Sequence, residues 1–595
     1  MRPLVERALD VVRSAGREPP RLIVSAPTGY GKTVSAPLIA SELIRRGFSY
    51  SFIHSLPLRA IVRDVYLCLL LNSLVNRSEL RERCRKSEEV LSLVRRALEE
   101  VGVDVTNVAY QMGEHLSDGE LEGYQRKEPL FDARYVVTTL DSLALNVFRI
   151  PVVELYSYRR HYTIPWSRVY VSALLLDEAH AIVEDYNESS RRRTFTVFKV
   201  MLEAAASARI PVVVSSATLP RSLVETVLES VGGGTVVELG RSAEEGKYRV
   251  VVKDTDFENS VLSVKWRTGT VTSSEIMGKV VEEVESGRRV FVACDSIGRA
   301  VELYRELSSR LGREGVALLH SMLKMGDREE RLKRLSEPGR VKVLVATSVV
   351  EAGVDLSFDS LITDGGNPFS VIQRAGRVCR DLRCGEAEIH VVRDFSDPGL
   401  IEFVEKCRDR VLWRLPYDLD GMCGYGRLLE SVTLEEDPKI RSLLETLLHP
   451  LLIPQGDIEL ILRRLGGSLL RELLVTVLVG EDSELGGLSY REVLRSAVVT
   501  DLEHVKRLTS RGCITGLYAL LASSDDPTRV EEVRRVDLEM GIELGRVFGN
   551  TSVGRVVSTY FESLRRVYRK HRDRVLSAVF LASKRCYGDE GLWHV

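Results

Sequence analysis

Side-chain amides are scarce in this sequence of 595 residues: four Gln and eight Asn stand against 67 Arg and 16 Lys. Few thermolabile amides and many charges fit a hot habitat, and a GC-rich genome would produce the same arginine preference. Long apolar runs are also missing. The longest, residues 65–71, falls far short of the roughly 20 residues that span a bilayer, so no transmembrane segment is expected. The opening MRPLVERALDVVRSAG mixes charged and apolar residues at helical spacing and lacks the apolar core of a secretion signal, so a cytoplasmic protein is expected. There are nine cysteines and no CxxC pair, which favours reduced thiols over a disulfide framework or a structural zinc site. Cys379 and Cys384 come closest, with no second Cys or His pair beside them. Excess charge of one sign is absent too: 83 basic against 85 acidic residues give a net −2, so any surface for a polyanion must be local.

With 44% hydrophobic and 28% charged residues the chain has the composition of a folded soluble protein. Its length provides for three to five packed units at about 150 residues each. Short β-rich runs at 22–25, 50–56, 135–139, 171–176 and 212–215 alternate with helical patterns, which predicts a parallel sheet covered by helices. A Gly-rich stretch, 232–234, followed by a polar segment to 246, reads as a linker. A second alternating block has strands at 290–294, 316–319, 341–346 and 388–392 and helices at 280–285 and 299–310. After residue 410 leucine-rich helical patterns dominate, as at 457–474 and 553–581. The expected organisation is 1–240, 241–410 and 411–595, an α/β pair of domains followed by a mainly helical region.

The chemistry is concentrated at strand ends. APTGYGKT, Ala26, Pro27, Thr28, Gly29, Tyr30, Gly31, Lys32 and Thr33, stands between a strand and a helix, as a phosphate-binding loop requires. Its glycines let backbone N–H groups face an anion, Lys32 brings a cation to the β- and γ-phosphates, and the Thr33 hydroxyl suits Mg²⁺. LLLDEAH ends a buried strand on two carboxylates. Asp177 suits Mg²⁺, and Glu178 can orient or deprotonate an attacking water. Ser216, Ala217 and Thr218 close the next strand. In the second block Thr347, Glu351, Gly353 and Asp355 follow a strand, and QRAGRVCR carries Gln373 with Arg374, Arg377 and Arg380 three apart, aligned along one side of a helix where a phosphate can be clamped.

These five motifs, in this order over residues 1–410, resemble a superfamily 2 helicase. VVEAGVDLSFD followed by NPFSVIQRAGRVCR is similar, more narrowly, to the CRISPR-associated helicase of type I systems. The resemblance implies two tandem RecA-like domains with ATP and Mg²⁺ between them. Gly29, Gly31, Lys32 and Thr33 would hold the phosphates, Thr33 and Asp177 the metal, with Glu178 as base. Arg377 and Arg380 would reach the γ-phosphate, with Gln373 orienting the reacting groups; an arginine finger is worth about 10³ to 10⁵ in turnover. His180, Ser216, Ala217 and Thr218 would couple hydrolysis to motion, and Gly353 and Asp355 would lie at the nucleotide. Pro57, Leu58 and Arg59, Thr138 and Thr139, Ser296 and Thr347 match the family's strand-contacting motifs. Contacts of this type grip phosphates without reading sequence. Arg191–Arg193 reads either as an extension of that track or as a solvated turn.

Two departures qualify the resemblance. No Gln precedes Ala26 to read adenine, which leaves base preference open. Nor does the dipeptide His-Asp of the family's HD nuclease occur anywhere in the chain. The resemblance is therefore to the stand-alone helicase subunit of archaeal I-A-like systems. That subunit would unwind single-stranded or R-loop DNA opened by a crRNA-guided type I surveillance complex and pass it to a separate HD nuclease subunit, with no membrane involved. Two other readings stay open: a superfamily 2 DNA-repair or RNA helicase outside CRISPR, and a nucleotide-gated binding switch that unwinds nothing.

Overall fold

A computed structural model describes residues 1–75, 84, 86–113, 116, 124–151, 163–184, 187–337, 339–350, 356–430, 432–449, 460–461, 465, 469–470, 474–523, 529–536, 560, 563–564, 566–567, 570–571 and 574–592. The chain divides into two compact units. The first comprises residues 1–151, 161–290 and 351–450, and the second residues 152–160, 291–350 and 451–595.

The first unit is built on β1 (Arg21–Ser25), β2 (Ser51–Leu56), β3 (Val108–Gln111), β4 (Tyr135–Thr139), β5 (Ser172–Asp177), β6 (Val212–Ser216), β7 (Thr235–Leu239), β8 (Glu244–Glu245) and β9 (Arg249–Val252). They form one sheet in the order β3-β4-β2-β5-β6-β1-β7-β9-β8, parallel except for β8. Strands such as SFIHSL and SALLLD are buried along their whole length, the pattern expected when helices cover both faces of a parallel sheet. The expected linker from 232 to 246 instead contains β7 and β8, because TVVEL supplies enough β-branched residues to add a strand beside β1.

The second alternating block supplies β10 (Lys265–Val271), β11 (Val290–Ala293), β12 (Val316–Leu319), β13 (Val343–Ala346), β14 (Ser360–Gly365) and β15 (Glu386–Ser396). Within the first unit β10, β15 and β14 lie side by side in parallel, and within the second β11, β13 and β12 are neighbours in that order, β13 and β12 being parallel. Helices Ile276–Glu285 and Ile297–Leu311 fall where the apolar spacing puts them. Two short strands follow, β16 (Val411–Leu412) and β17 (Cys423–Gly424).

Beyond residue 450 the mainly helical expectation gives way to a five-stranded sheet. Its strands β18 (Leu474–Val479), β19 (Ala497–Asp501), β20 (Ile514–Ala522), β21 (Val530–Arg535) and β22 (Val575–Ala582) run in the order β19-β18-β22-β20-β21. The leucine-rich readings over 457–474 and 553–581 lie largely outside the described residues; where described, 460–461, 560, 563–564, 566–567 and 570–571 are helical as expected, whereas 474 opens β18 and 575–581 belongs to β22. LVTVLV and LSAVFLA are apolar on both faces, and strand and buried helix look alike in such runs.

The thiol expectation is also corrected. Cys68–Cys84, Cys379–Cys384, Cys407–Cys423 and Cys513–Cys586 are disulfides, and Cys294, buried in the core, is in none. All four join residues that a CxxC search passes over, being 5, 16 or 73 apart. Among the described residues no helix is long and apolar enough to cross a membrane.

One ionic knot in the first unit joins Glu283, Glu388 and His390 to Lys279 and Arg288. Three potential metal ligands converge there, but two cations already supply the charge. Burial alone would raise Glu388, yet hydrogen bonds from Arg288 and His390 and the charge of Lys279 outweigh it and hold the carboxyl at about 2. A carboxylate depressed on folding contributes stability above its unfolded value, which fades as pH falls toward the folded one. Glu388→Gln should therefore destabilise the protein at pH 7 by ~3 kcal/mol, and the gap between variant and native unfolding midpoints should close between pH 4.5 and about 2. Thiol titration of the oxidised, denatured chain should find one reactive thiol, Cys294.

Candidate nucleotide site

Three neighbouring strands of the first sheet, β5, β6 and β1, end together. Asp177 pairs with Ser215 and Ser25 with Ser216, and the Ala26 N–H donates to Ser216 O at 3.1 Å. The expected phosphate loop, the two carboxylates and the Ser216–Thr218 turn therefore share the carboxyl edge of one parallel sheet, where such sheets bind ligands. Gly29 and Gly31 adopt φ values of 79° and 107°, a backbone that side chains rarely tolerate. Helix Lys32–Arg45 begins at once after them. Lys32 is buried, and its ammonium donates to the loop's own carbonyls, Ala26 O at 2.8 Å and Pro27 O at 3.3 Å. A bare loop around an interior ammonium, opening a helix N-terminus, fits nucleotide phosphates. Thr33 stands half-buried in the first helical turn.

Tyr30 anchors the loop. It is 1% exposed; its hydroxyl donates to Asp254 at 2.7 Å and accepts from the Leu4 N–H at 3.4 Å, while the Arg2 guanidinium lies over its ring.

Asp177 is buried, accepts from the Glu178 N–H at 2.9 Å, and faces His54 Nε2 at 3.4 Å. The other His54 nitrogen meets the Tyr135 hydroxyl at 3.2 Å. Burial keeps Tyr135 protonated, so it is the donor and His54 passes its Nε2–H to Asp177. Burial would raise Asp177, but the hydrogen bond from His54 and the charge of Lys32 hold it below the usual carboxylate range. An ionised, oriented carboxylate within reach of Lys32 suits Mg²⁺. Glu178 sits at φ 52°, a left-handed conformation that turns the chain sharply out of β5. His180 Nδ1 lies 2.6 Å from the Ser216 hydroxyl, and burial lowers the pKa of the imidazole.

QRAGRVCR meets this edge from the same unit. Gln373 receives the Thr28 hydroxyl at 3.4 Å and donates to Thr218 Oγ1 at 3.3 Å, so one amide spans the phosphate loop and the Ser216–Thr218 turn. The expectation of three arginines along one helix is corrected: helix Pro368–Ala375 ends before Arg377. Arg374 is buried on Thr363 and Asp364 O, inside the domain. Arg377 is buried in the turn after the helix and Arg380 is partly exposed. Ala217 O accepts the Tyr425 hydroxyl at 2.8 Å. Gly353 and Asp355 lie outside the described residues.

The strand-contacting candidates divide. In the first unit Pro57 and Arg59 are half-buried, with the Arg59 guanidinium against the Gly113 backbone. Thr138 is fully buried with its hydroxyl on Gln111 O at 2.8 Å, and Thr139 caps helix Leu140–Val147; both hydroxyls are taken up inside the fold. Arg192, in the expected basic cluster, lies in helix Glu188–Ser207 and pairs with Glu435. In the second unit Ser296 caps helix Ile297–Leu311, and Thr347 follows β13 with its N–H on Leu319 O.

Comparison with known proteins adds to this geometry. Residues 286–383 match the family described as CRISPR-associated nuclease/helicase Cas3, C-terminal. The CRISPR-associated nuclease/helicase Cas3 of Methanothermobacter thermautotrophicus is 25% identical over 408 residues, covering 66% of this chain and 41% of that protein. The CRISPR-associated endonuclease/helicase Cas3 of Escherichia coli is 26% identical over 404 residues, covering 63% and 43%. The chain resembles a CRISPR-associated superfamily 2 helicase. It spans about two-fifths of the length of these Cas3 relatives. The crystal structure of T. fusca Cas3 aligns at a TM-score of 0.52 and 17% identity over 81% of this chain and 62% of its own, a likeness in fold.

Two residues of the site carry no motif signal. His54 lies three residues before Pro57 inside the strand SFIHSL, with no motif around it, and Arg414, whose Nη2 donates to Thr28 O at 2.9 Å, follows the last motif by 34 residues. The Tyr30 anchor is directly testable. Tyr30→Phe strips Asp254 and the Leu4 N–H of a buried partner and should cost about 1 to 3 kcal/mol, read as a lower unfolding midpoint; an unchanged midpoint would remove Tyr30 from this role.

Proposed function

We propose that this chain is an ATP-dependent DNA helicase or translocase that unwinds target DNA at a crRNA-guided R-loop in type I CRISPR interference, handing the single strand to a separate HD nuclease. The observation that carries the ATPase part is the convergence of Lys32, Asp177, Glu178 and Thr218 at one sheet edge, with Gln373 bridging Thr28 and Thr218. The Cas3 likeness supports the CRISPR part.

In this reading Ala26 to Thr33 cradle the phosphates of ATP, and Lys32 exchanges its carbonyl partners for phosphate oxygens. Thr33 and Asp177 hold Mg²⁺, which when bound neutralises charge developing on the transferred phosphoryl group. Tyr135 and His54 fix the Asp177 carboxylate from behind. Glu178 orients water and accepts its proton, and Arg377 and Arg380 stabilise the γ-phosphate. His180, Ser216 and Thr218 relay the change at this edge. Arg59 in the first unit and Ser296 and Thr347 in the second meet the nucleic-acid backbone. Separating a duplex costs on the order of 1.4 kcal/mol per base-pair step, which hydrolysis supplies.

ATPase assays without polynucleotide, with single-stranded DNA and with single-stranded RNA test this directly. DNA should stimulate turnover, Glu178→Gln should bind ATP but lose at least ~10²-fold in turnover, and a forked duplex should be separated only with hydrolysable nucleotide. Stimulation by RNA alone would replace this reading with an RNA helicase. Hydrolysis and nucleotide-dependent binding without strand separation would replace it with a switch.

A further inference from the structure

Arg414 carries an interior charge that no ion pair among the described residues neutralises, Asp381 acting on it only at longer range. The residue is 1% exposed, and among the described residues no carboxylate comes within ion-pairing distance. Burial, and to a lesser degree the charge of Arg380, lowers the guanidinium to about 10, so it stays protonated at neutral pH. All its acceptors are backbone carbonyls. Nη2 donates to Thr28 O at 2.9 Å and to Arg380 O at 3.3 Å, Nη1 donates to Gly376 O at 3.3 Å, and Nε has no acceptor. A single nitrogen therefore ties the phosphate loop to the turn bearing Arg377 and Arg380.

The surroundings are cut to admit it. A Cβ on Gly29 would stand 2.8 Å from Arg414 Nη2, and one on Gly376 would stand 3.1 Å from the Cβ and Cγ2 of Thr28. Gly29 thus clears space for the guanidinium as well as adopting its left-handed turn. A buried cation without a carboxylate is a costly way to brace two loops, and a neutral or apolar side chain would do so more cheaply. The arrangement is explained if the charge serves an anion that enters beside it.

We propose that Arg414 is a positioning residue of the ATP site, linking occupancy of the γ-phosphate position at the phosphate loop to the placement of Arg377 and Arg380. The inference rests on the ATPase reading above. Because Thr28 O and Arg380 O share one nitrogen, a shift of either carbonyl alters the bond to the other. The planar fork of arginine holds three carbonyls at once, whereas a lysine ammonium in the same place cannot reproduce that span. The Thr28–Gln373–Thr218 chain runs beside it as a second tie.

The experiment measures equilibrium affinities for AMPPNP and ADP, with kcat and KM for ATP, on the full chain and on Arg414→Lys and Arg414→Gln. The native chain should prefer AMPPNP. Both variants should lose that preference by on the order of tenfold, about the worth of one hydrogen bond to a charged group. Their ADP affinity should stay within about twofold of native, while KM for ATP rises with the loss of AMPPNP affinity and kcat falls as Arg377 and Arg380 are displaced. The ratio of two affinities does not depend on how much of a sample is folded, so a destabilised variant still reports. An unchanged AMPPNP-to-ADP ratio, or equal losses for both ligands, would make Arg414 a structural brace and overturn the proposal. Failure of the native chain to bind either nucleotide would overturn the ATPase reading with it.

Discussion

An ammonium in the interior must be surrounded by oxygen, and the first sheet is organised around this requirement at Lys32. Desolvating the charge costs more than most single contacts return, so the carbonyls of Ala26 and Pro27 turn inward and Asp177 lies near enough to interact. The carbonyls can turn inward only because Gly29 and Gly31 accept positive φ. Asp177 is near only because β5, β6 and β1 are adjacent and parallel, so that their carboxyl ends coincide. The Asp177 carboxylate would itself be destabilised by burial, and His54 and Tyr135 on the neighbouring strands β2 and β4 offset this with a hydrogen-bonded chain. Each polar group of the site thus needs the next, and the strand order supplies them in sequence.

The same edge carries a run of hydroxyl, amide and imidazole side chains: His180 on Ser216, Ser216 on the Thr218 N–H, Thr218 on Gln373, Gln373 on Thr28. These bonds are short-range and directional, so a displacement of one member has to be taken up by its neighbour. Burial lowers the His180 pKa, which leaves its ring neutral at neutral pH, able to accept as well as donate. In the proposed function such a chain gives ATP occupancy a physical route from the phosphate loop to the QRAGRVCR segment within one unit.

What the sequence made legible was chemistry packed into consecutive residues. APTGYGKT and DEAH are readable because loop, lysine and carboxylates are chain neighbours, and most parallel strands because their apolar runs are bounded by turn residues. Arg414 was not, since its partner Thr28 is 386 residues away and no pattern surrounds it. His54 was hidden by its position in a strand whose other residues look like ordinary core. Arg374 was misplaced with Arg377 and Arg380 because spacing by three suggests a helical face, yet the helix ends at Ala375 and burial takes Arg374 inward. The disulfides were missed because pairs closing 16- or 73-residue loops are set by the tertiary fold. In the C-terminal sheet β18 and β22 are apolar on both faces, and only pairing distinguishes them from buried helix.

That sheet is part of the second unit's core. Met322, which follows β12, belongs to the same buried cluster as Val477, Leu517 and Phe580, and Ile297, next to Ser296, packs against it. The chain end closes the arrangement: Leu592 N–H donates to Met322 O, Tyr304 and Arg331 bind Asp589, and Arg305 binds Glu590. Truncating the C-terminal sheet would expose Met322 and Ile297 and leave Arg305 and Arg331 without these acidic partners. Ser296 and Thr347, the residues of this unit proposed to meet nucleic acid, adjoin this packing: Ser296 caps the helix that opens at Ile297, and Thr347 bonds Leu319, three residues before Met322. Their placement therefore depends on residues up to 592, and the C-terminal region acts on the proposed helicase through the stability of the core it completes.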